Sequence, residues 1–268
     1  MEAHHWFLVG GFFLLFLVLT EPWIKRAPIS PAILYLLLGF LLGPSWLGIV
    51  NIDVLEHPRT IEIGAEIVVI VSLFTAGLKL QAPFHHFHWK ISAILASLTM
   101  LATVSLLALL GYLLFNLPWY AAVLLGGILA PTDPVLASQV QVDDENDRDR
   151  IRQSLTGEAG FNDGTAFPVI MLGLTLLGAR WADTENALLR WFFVDVAWGV
   201  PVALAIGYGC GWLTARLIVM MRAKTEQKVI IEDFASIGLI AASYGLAQLL
   251  STYGFLAVFA AGLAFARA

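Results

Sequence analysis

The feature that most constrains this sequence is a series of long apolar windows without formal charge. The stretch Ile91–Leu114 is the clearest of them, because it contains no Asp, Glu, Lys or Arg. About 20 such residues are enough to cross the hydrocarbon core of a bilayer as a helix. The composition agrees, since 59% of the residues are hydrophobic and 13% are charged. The sequence therefore predicts an all-α, polytopic membrane protein.

Charges, prolines and turn residues divide the chain into about nine apolar windows. They cover residues 5–21, 30–49, 60–79, 90–115, 119–140, 154–178, 190–216, 229–250 and 252–268. With nine spans in series, the connections between them alternate between the two sides of the membrane. The chain is thus expected to cross the bilayer an odd number of times, with its two ends on opposite sides.

The basic residues predict an orientation. Three of them fall on one side, namely Arg59, Arg180 and Arg190, whereas the other twelve Lys and Arg residues fall on the opposite side. Because Lys and Arg accumulate in cytoplasmic connections, the N-terminus is predicted to lie outside and residues 141–153 in the cytoplasm. We expect a multi-pass protein of the inner (plasma) membrane. The net charge of −5 gives no reason to expect a nucleic acid partner.

Two polar clusters interrupt the predicted spans, and polar groups within a membrane are functional candidates. In the fifth span, Thr132 and Asp133 stand between Pro131 and Pro134. Each proline lacks an N–H donor, so the helix is expected to kink or unwind here and to free backbone carbonyls. Carbonyls beside a carboxylate are hard oxygen ligands that suit an alkali cation. A structural Asp that caps a proline kink is the alternative, and for Thr132 a structural role is equally open.

The sixth span carries the second cluster. Glu158 and Asn162 are four residues apart and should share a helix face, while Asp163 is rotated by about 100°. Antiparallel packing of the fifth and sixth spans would bring Asp133 and Asp163 to one level. The glycines at 157, 160 and 164 allow close helix approach.

Carboxylates clustered in a low-dielectric site favour protonation, because burial and mutual repulsion both oppose ionisation. Such a group can be neutral with a proton or ionised when a cation replaces the proton. One site with two competing occupants is the physical basis of a cation/proton antiporter. The alternative, a structural pairing with Lys or Arg, finds no basic residue at that depth in the predicted spans.

At this point the sequence resembles a known family. The tripeptide Thr132-Asp133-Pro134, followed by Glu158 and then Asn162-Asp163, is similar to the NhaP-type sodium/proton exchangers of the monovalent cation/proton antiporter family. Two further fragments support the resemblance, Leu73–Leu80 and Gly254–Leu263. Together these pieces extend from the third span to the ninth.

The resemblance implies an inverted-repeat antiporter fold with an unwound helix at the ion site. It implies that Asp163 is the main carrier of ion and proton, and that Asp133, Thr132, Glu158 and Asn162 line the same site. Asp163 and Asp133 would be the ligands of the alkali cation. An Asn-Asp pair, where electrogenic relatives carry Asp-Asp, implies electroneutral exchange. The sequence departs from the family at Ala159, where a Ser often supplies a hydroxyl ligand.

The family fold implies three regions. Residues 1–89 would hold spans one to three on the scaffold side, 90–178 the core spans with the ion site, and 190–268 a linker helix and the start of a second repeat. Since no second copy of the polar core is visible, we expect an N-terminal portion of a longer protein. We also expect a homodimer in the lipid bilayer.

The predicted function is secondary active exchange of Na+ or K+ for protons, which would serve pH homeostasis without a cofactor. The alternative is a passive cation channel or an ion-regulated membrane sensor, in which the carboxylates only select ions. An intramembrane enzyme is disfavoured, because none of the six histidines lies within a predicted span and Cys210 has no partner in sequence for catalysis.

Overall fold

The computed structural model describes residues 3–24, 31–51, 55–80, 87–132, 137, 140–142, 147, 149–178, 180, 185–222 and 232–267. The chain divides into two compact units, Met1–Ile61 and Glu62–Ala268. The three regions expected from the family fold stay a prediction.

The first unit contains two apolar helices, α1 (Ala3–Ile24) and α2 (Pro31–Leu42). The rings of Phe13 and Tyr35 contact each other in a tilted arrangement with their centroids 6.0 Å apart. After α2 the chain turns, with Gly48 in the left-handed region at φ 61°. A residue with a side chain would be strained there.

The second unit is built from helices that follow one another along the chain. They are α3 (Pro58–Lys79, which belongs to this unit from Glu62 onward), α4 (Phe87–Ile94), α5 (Met100–Phe115), α6 (Trp119–Leu129), α7 (Arg150–Leu176), α8 (Ala187–Trp191), α9 (Gly199–Arg222), α10 (Glu232–Leu249) and α11 (Gly254–Phe265). Two π-helical segments join neighbouring helices into longer spans: Leu95–Thr99 joins α4 to α5, and Phe192–Trp198 joins α8 to α9.

The all-α prediction is confirmed, since the described part of the chain contains no strand. Counted with the π segments inside them, the described helices form nine consecutive spans that match the predicted windows. Three are long and apolar enough to cross a membrane by length and composition, Pro58–Lys79, Trp89–Phe115 and Ala187–Met221. Five others are shorter apolar helices.

Helix α11 is the most enclosed element of the second unit. Every residue from Leu256 to Ala264 is buried, and Phe259 has no exposed surface. A helix that is apolar on all sides can be buried on all sides. Helix α11 is packed against α7, α9 and α10, and it contacts α3 at Gly77 and Gly262. The predicted last span is therefore the centre of this unit.

Glycines let the neighbouring helices approach α11 closely. A Cβ added at Gly207 would overlap the carbonyl oxygen of Ala257, and one at Gly211 would overlap that of Ala261. These two glycines are four residues apart on α9 and face two small residues with the same spacing on α11. Small residues at this spacing allow helix backbones to pack in direct contact.

Large apolar side chains cover much of the outer surface. Leu36, Leu98, Leu114 and Phe234 each expose more than two thirds of their surface. Exposed apolar side chains of this size are suited to contact with lipid.

Candidate functional site

The predicted site residues that the structure describes lie where α6 ends beside α7. A Cβ added at Gly127 on α6 would lie 3.2 Å from the Val169 side chain on α7. Farther along α7, a Cβ added at Gly173 would lie 2.8 Å from the Cα of Leu124. Since the position on α6 falls as that on α7 rises, the two helices run antiparallel in close contact. This is the arrangement that the sequence predicted for the fifth and sixth spans.

The fifth span is helical for a shorter distance than its apolar window. The window covers 119–140, but α6 ends at Leu129, and the described residues Ala130–Thr132 are not helical. Pro131 lacks an N–H donor and its ring obstructs the preceding turn, which explains the end of the helix. The expected break at the prolines is thus observed, and the chain leaves the helical path just before Thr132.

Three of the five predicted site residues contact one another. The hydroxyl of Thr132 lies 3.2 and 3.1 Å from the two carboxylate oxygens of Glu158. The Asn162 amide donates from Nδ2 to Thr132 Oγ1 at 2.7 Å and to Glu158 Oε1 at 2.9 Å. The expected common face of Glu158 and Asn162 is therefore observed.

The oxygen of the Asn162 amide has no hydrogen-bond partner among the described residues. Asn162 has no exposed surface, and its Oδ1 atom is buried without a hydrogen bond. The amide cannot be reversed to correct this, because reversal would set Oδ1 against the Glu158 carboxylate. A buried acceptor without a partner destabilises the folded protein. A cation or a proton donor bound at this oxygen would remove that penalty.

The two predicted aspartates are described only in part. Asp133 lies outside the described residues, and Asp163 is described only as a backbone position within α7. In sequence, Asp133 directly follows Thr132 and Asp163 directly follows Asn162. Each aspartate is thus the chain neighbour of one residue in the cluster, and its role as an ion ligand stays a prediction.

Small residues on α7 permit the close contacts that surround the cluster. A Cβ at Gly157 would lie 2.5 Å from Ser92 Oγ, and one at Gly160 would overlap the ring of Phe259. A Cβ at Gly164 would lie 2.6 Å from the Leu256 side chain. The glycines that the sequence identified for close approach therefore serve that purpose against α4 and α11.

Buried hydrogen bonds hold the Arg150 end of α7 to its neighbours. Ser92 on α4 donates to the carbonyl oxygen of Ser154 at 2.9 Å. The backbone N–H of Val142, in the connection between α6 and α7, donates to the Thr156 hydroxyl at 2.9 Å. Both Val142 and Thr156 are buried. Val142, in this predicted cytoplasmic connection, is therefore packed against α7 at Thr156, which precedes Glu158 by two residues.

A second buried carboxylate, Asp195, was not singled out from the sequence. Arg180 Nη1 lies 3.1 Å from each Asp195 carboxylate oxygen, and the Tyr253 hydroxyl donates to the same group at 3.3 Å. Asp195 is 6% exposed and belongs to the π segment between α8 and α9. It is the one acidic residue in the apolar window 190–216, which was the signal available. The ion pair with Arg180 and the hydrogen bond from Tyr253 give this buried carboxylate a structural role.

Glu62 and Glu66 lie one helical turn apart on α3. The Tyr244 hydroxyl on α10 donates to Glu66 Oε1 at 2.5 Å, and Gln248 donates to the same hydroxyl at 2.9 Å. Glu66 therefore links α3 to α10, whereas Glu62 is exposed. These contacts describe a structural connection between helices.

The donor set suits an alkali cation. Among the described residues, no group of three or more His, Cys, Asp or Glu side chains could hold a metal ion. The cluster instead offers oxygen atoms from a carboxylate, a hydroxyl and an amide. Hard cations prefer oxygen ligands, whereas the softer transition metals prefer nitrogen or sulfur.

Comparison with known proteins adds independent information. Residues 12–268 match the family model described as sodium/hydrogen exchanger, transmembrane. The K(+)/H(+) antiporter NhaP of Alkalimonas amylolytica is 26% identical over 95% of this chain, which covers 42% of that relative. A Na(+)/H(+) antiporter of Schizosaccharomyces pombe is 28% identical over 75% of this chain and 45% of its own length. The chain thus spans less than half the length of these relatives.

A solved structure is similar over the whole chain. It is the sodium proton antiporter MjNhaP1 from Methanocaldococcus jannaschii, with a TM-score of 0.75 and 21% sequence identity. The match covers 100% of this chain and 62% of that protein. At this identity the similarity concerns the fold, and it confirms the predicted polytopic membrane architecture of an NhaP-type antiporter.

Proposed function

The chain belongs to the sodium/hydrogen exchanger family, and we propose that the complete protein carrying it exchanges a monovalent cation, Na+ or K+, for protons across the membrane. The exchange is proposed to occur at one site formed by Asp163, Asp133, Thr132, Glu158 and Asn162. A proton and a cation compete for this site, with Asp163 as the main carrier. The names of the relatives, which include K+/H+ and Na+/H+ antiporters, support both cations as candidates.

The observation that carries the proposal is the free acceptor of Asn162. Its Oδ1 atom is buried without a partner among the described residues, and the Nδ2 atom of the same amide donates to the Glu158 carboxylate. An alkali cation would satisfy this acceptor and offset the negative charge of the Glu158 carboxylate together. Protons bound to the carboxylates would remove the same charge when the cation leaves. The site therefore has a reason to be occupied by one or the other.

Orientation and assembly belong to the proposal as well. The bias of basic residues favours an outside N-terminus and a cytoplasmic connection at residues 141–153 in the plasma membrane. Assembly as a homodimer in the lipid bilayer stays a prediction.

Replacement of Asp163 tests the proposal most directly. The complete protein is purified, reconstituted into liposomes and given a pH gradient, and proton movement is followed after addition of Na+ or K+. We expect the wild type to show cation-dependent proton movement and Asp163→Asn to show none, because the amide keeps the volume and loses the titratable charge. The loss should reach the background of empty liposomes.

A matched control is Asp149→Asn. Asp149 caps the first turn of the same helix by accepting from the N–H groups of Ile151 and Arg152. Asn is an equally good cap, so this variant removes a carboxylate from α7 without unfolding its end and should keep exchange. Cation-dependent exchange retained by Asp163→Asn would refute the proposal. Cation flux in the wild type that follows voltage and ignores the pH gradient would identify a channel instead.

A further inference from the structure

One side chain connects the helix of the cluster to a π-helical segment in the neighbouring span. The segment Leu95–Thr99 lies between α4 and α5, and Ala96 within it is 2% exposed. The carbonyl oxygen of Ala96 lies 2.5 Å from the hydroxyl oxygen of Thr165 on α7. Wide π-helical turns are rare and occur frequently at functional sites. This contact therefore joins an unusual backbone segment to the helix that carries Glu158 and Asn162.

The Thr165 hydroxyl has one proton and three acceptors within reach. Besides Ala96 O, they are Asn162 O at 2.9 Å and Met100 Sδ at 3.2 Å. A thioether sulfur is a weak acceptor, and the Ala96 carbonyl is the nearest of the three. The proton is thus donated out of α7 into the α4–α5 span.

This bond lies one helical turn from Asn162 and can therefore affect the position of the cluster. Thr165 follows Asn162 by three residues, which places it on the same face one turn farther along α7. Next to it, Ala166 and Val169 pack with Met100 and Val104 from the α4–α5 span. Apolar packing of this kind tolerates small sliding movements, whereas a hydrogen bond to one carbonyl sets a definite height. The bond therefore sets the height of the helical turn that carries Asn162.

We propose that Thr165 is a positioning residue of the ion site and acts through its hydrogen bond to Ala96. The bond determines where the Asn162 amide lies relative to Thr132 and Glu158, and so determines the size of the oxygen-lined space. Cation affinity and the preference between Na+ and K+ then depend on a hydroxyl that contributes no ligand. This inference rests on the proposed exchange at that site.

The test compares Thr165→Val, which keeps the shape and removes the hydroxyl, with Thr165→Ser, which keeps the hydroxyl. Thr175→Val is the matched control, because Thr175 is a buried threonine of the same helix whose hydroxyl donates to Met171 O within α7 at 2.7 Å. The complete protein is reconstituted, and the rate of exchange is measured against Na+ and K+ concentration. Thermal unfolding in detergent reports the structural effect of each substitution.

Thr165→Val is expected to raise the apparent KM of the preferred cation about fivefold, the change that follows from losing the net contribution of one hydrogen bond. The ratio of the Na+ and K+ values should change as well. Thr165→Ser should return the apparent KM to within about twofold of the wild type. Thr175→Val should leave the apparent KM and the cation ratio unchanged, although it removes a buried hydroxyl from the same helix.

A purely structural role gives a different pattern, in which Thr165→Val lowers the melting temperature and the maximal rate while the KM and the cation ratio stay at wild-type values. That pattern would overturn the inference, as would a Ser variant that behaves like the Val variant. If Thr165→Val does not fold, Thr165→Ala is compared with Thr165→Ser, and equal KM values for that pair would overturn it. Absence of exchange in the wild type would instead refute the proposed function.

Discussion

Glu158 is the residue on which the hydrogen bonds of the cluster converge. Its carboxylate accepts from the Asn162 amide, and the Thr132 hydroxyl lies within reach of both of its oxygens. Thr132 also accepts from Asn162, which commits the single Thr132 proton to the carboxylate. If Glu158 takes up a proton on Oε2, the Thr132 hydroxyl can donate to Oε1, which also accepts from Asn162. Protonation of Glu158 thereby determines which carboxyl oxygen accepts from Thr132.

Thr132→Val should therefore weaken cation binding. The substitution removes the donor to Glu158 and the acceptor for Asn162 Nδ2 while the volume stays nearly constant. A hydrogen bond to a charged group contributes roughly 2 kcal/mol, so the apparent KM for the cation should rise about tenfold or more. Measurement of exchange against cation concentration in proteoliposomes checks this, and Thr132→Ser should retain most of the affinity.

The control for this prediction is Thr103→Val. Thr103 is half-buried, and its hydroxyl donates to Thr99 O within its own span at 3.0 Å. The apparent KM of this variant should equal that of the wild type. A Thr132→Val protein with the same cation affinity as Thr103→Val would mean that the Thr132 hydroxyl does not shape the ion site.

The sequence predicted the members of this cluster better than their bonds. The spacing of Glu158 and Asn162 predicts a shared helix face, and Thr132 was predicted from its place between two prolines. Thr165 was not identified, because its acceptor is a backbone carbonyl in a π-helical turn. Apolar periodicity carries no signal for such a turn, and a threonine in a span commonly donates to its own helix.

At the level of elements, the contact between α9 and α11 is the closest in the second unit. Gly207 and Gly211 face the carbonyls of Ala257 and Ala261, so the two backbones touch along a full turn. Gly209 lies between them on α9, yet an added Cβ there would meet nothing within 4 Å. Gly207 and Gly209 lie in the same helix, yet only Gly207 has no room for a side chain.

Gly207→Ala should separate α9 from α11, whereas Gly209→Ala should not. The added methyl at Gly207 would overlap a backbone oxygen that cannot rotate away, and overpacking of this kind costs about 1–3 kcal/mol. Thermal unfolding of the purified protein should show a lower melting temperature for Gly207→Ala. Gly209→Ala should match or slightly exceed the wild type, because alanine favours the helix over glycine. Equal melting temperatures for the two variants would contradict the observed contact.

The ends of the elements were partly predictable from residue chemistry. The end of α6 near Pro131 follows from the missing N–H donor of proline. The π segment that holds Asp195 could not be predicted, because it is fixed by tertiary contacts with Arg180 and Tyr253. Gly207 and Gly211 stand four residues apart in the sequence, a spacing typical of close helix contacts. The sequence does not indicate which helix packs against them.

At the level of the molecule, hydropathy predicted about how many helical spans the chain forms. It did not predict which spans are buried among other helices. Leu14 in α1 and Phe259 in α11 both lie in uncharged apolar windows, yet Leu14 is 64% exposed and Phe259 is 0% exposed. Lipid and protein interior are equally apolar surroundings, so hydrophobicity alone cannot separate them. The small residues of α11, such as Gly262 and Ala257, are the available sign that other helices pack closely around it.

The charge balance of the proposed exchange is a property of the whole protein. Asn162 is neutral, so the site has one carboxylate fewer than an Asp-Asp site would have. We expect one proton to be exchanged for one monovalent cation, with no net charge moved. A membrane potential contributes about 2.3 kcal/mol per elementary charge per 100 mV, and this contribution vanishes when no net charge crosses. The exchange rate should therefore be insensitive to voltage.

The same site model predicts competition between protons and cations. Because both occupy the same carboxylates, a higher proton concentration should raise the apparent KM for the cation without lowering the maximal rate. Proteoliposomes whose potential is clamped with valinomycin and K+, with Na+ as the test cation, measure both properties in one preparation. A current during exchange, or a rate that changes several-fold with voltage, would contradict electroneutral exchange and indicate that Glu158 carries a second proton. A maximal rate that falls while the KM stays constant would place the proton at a separate site.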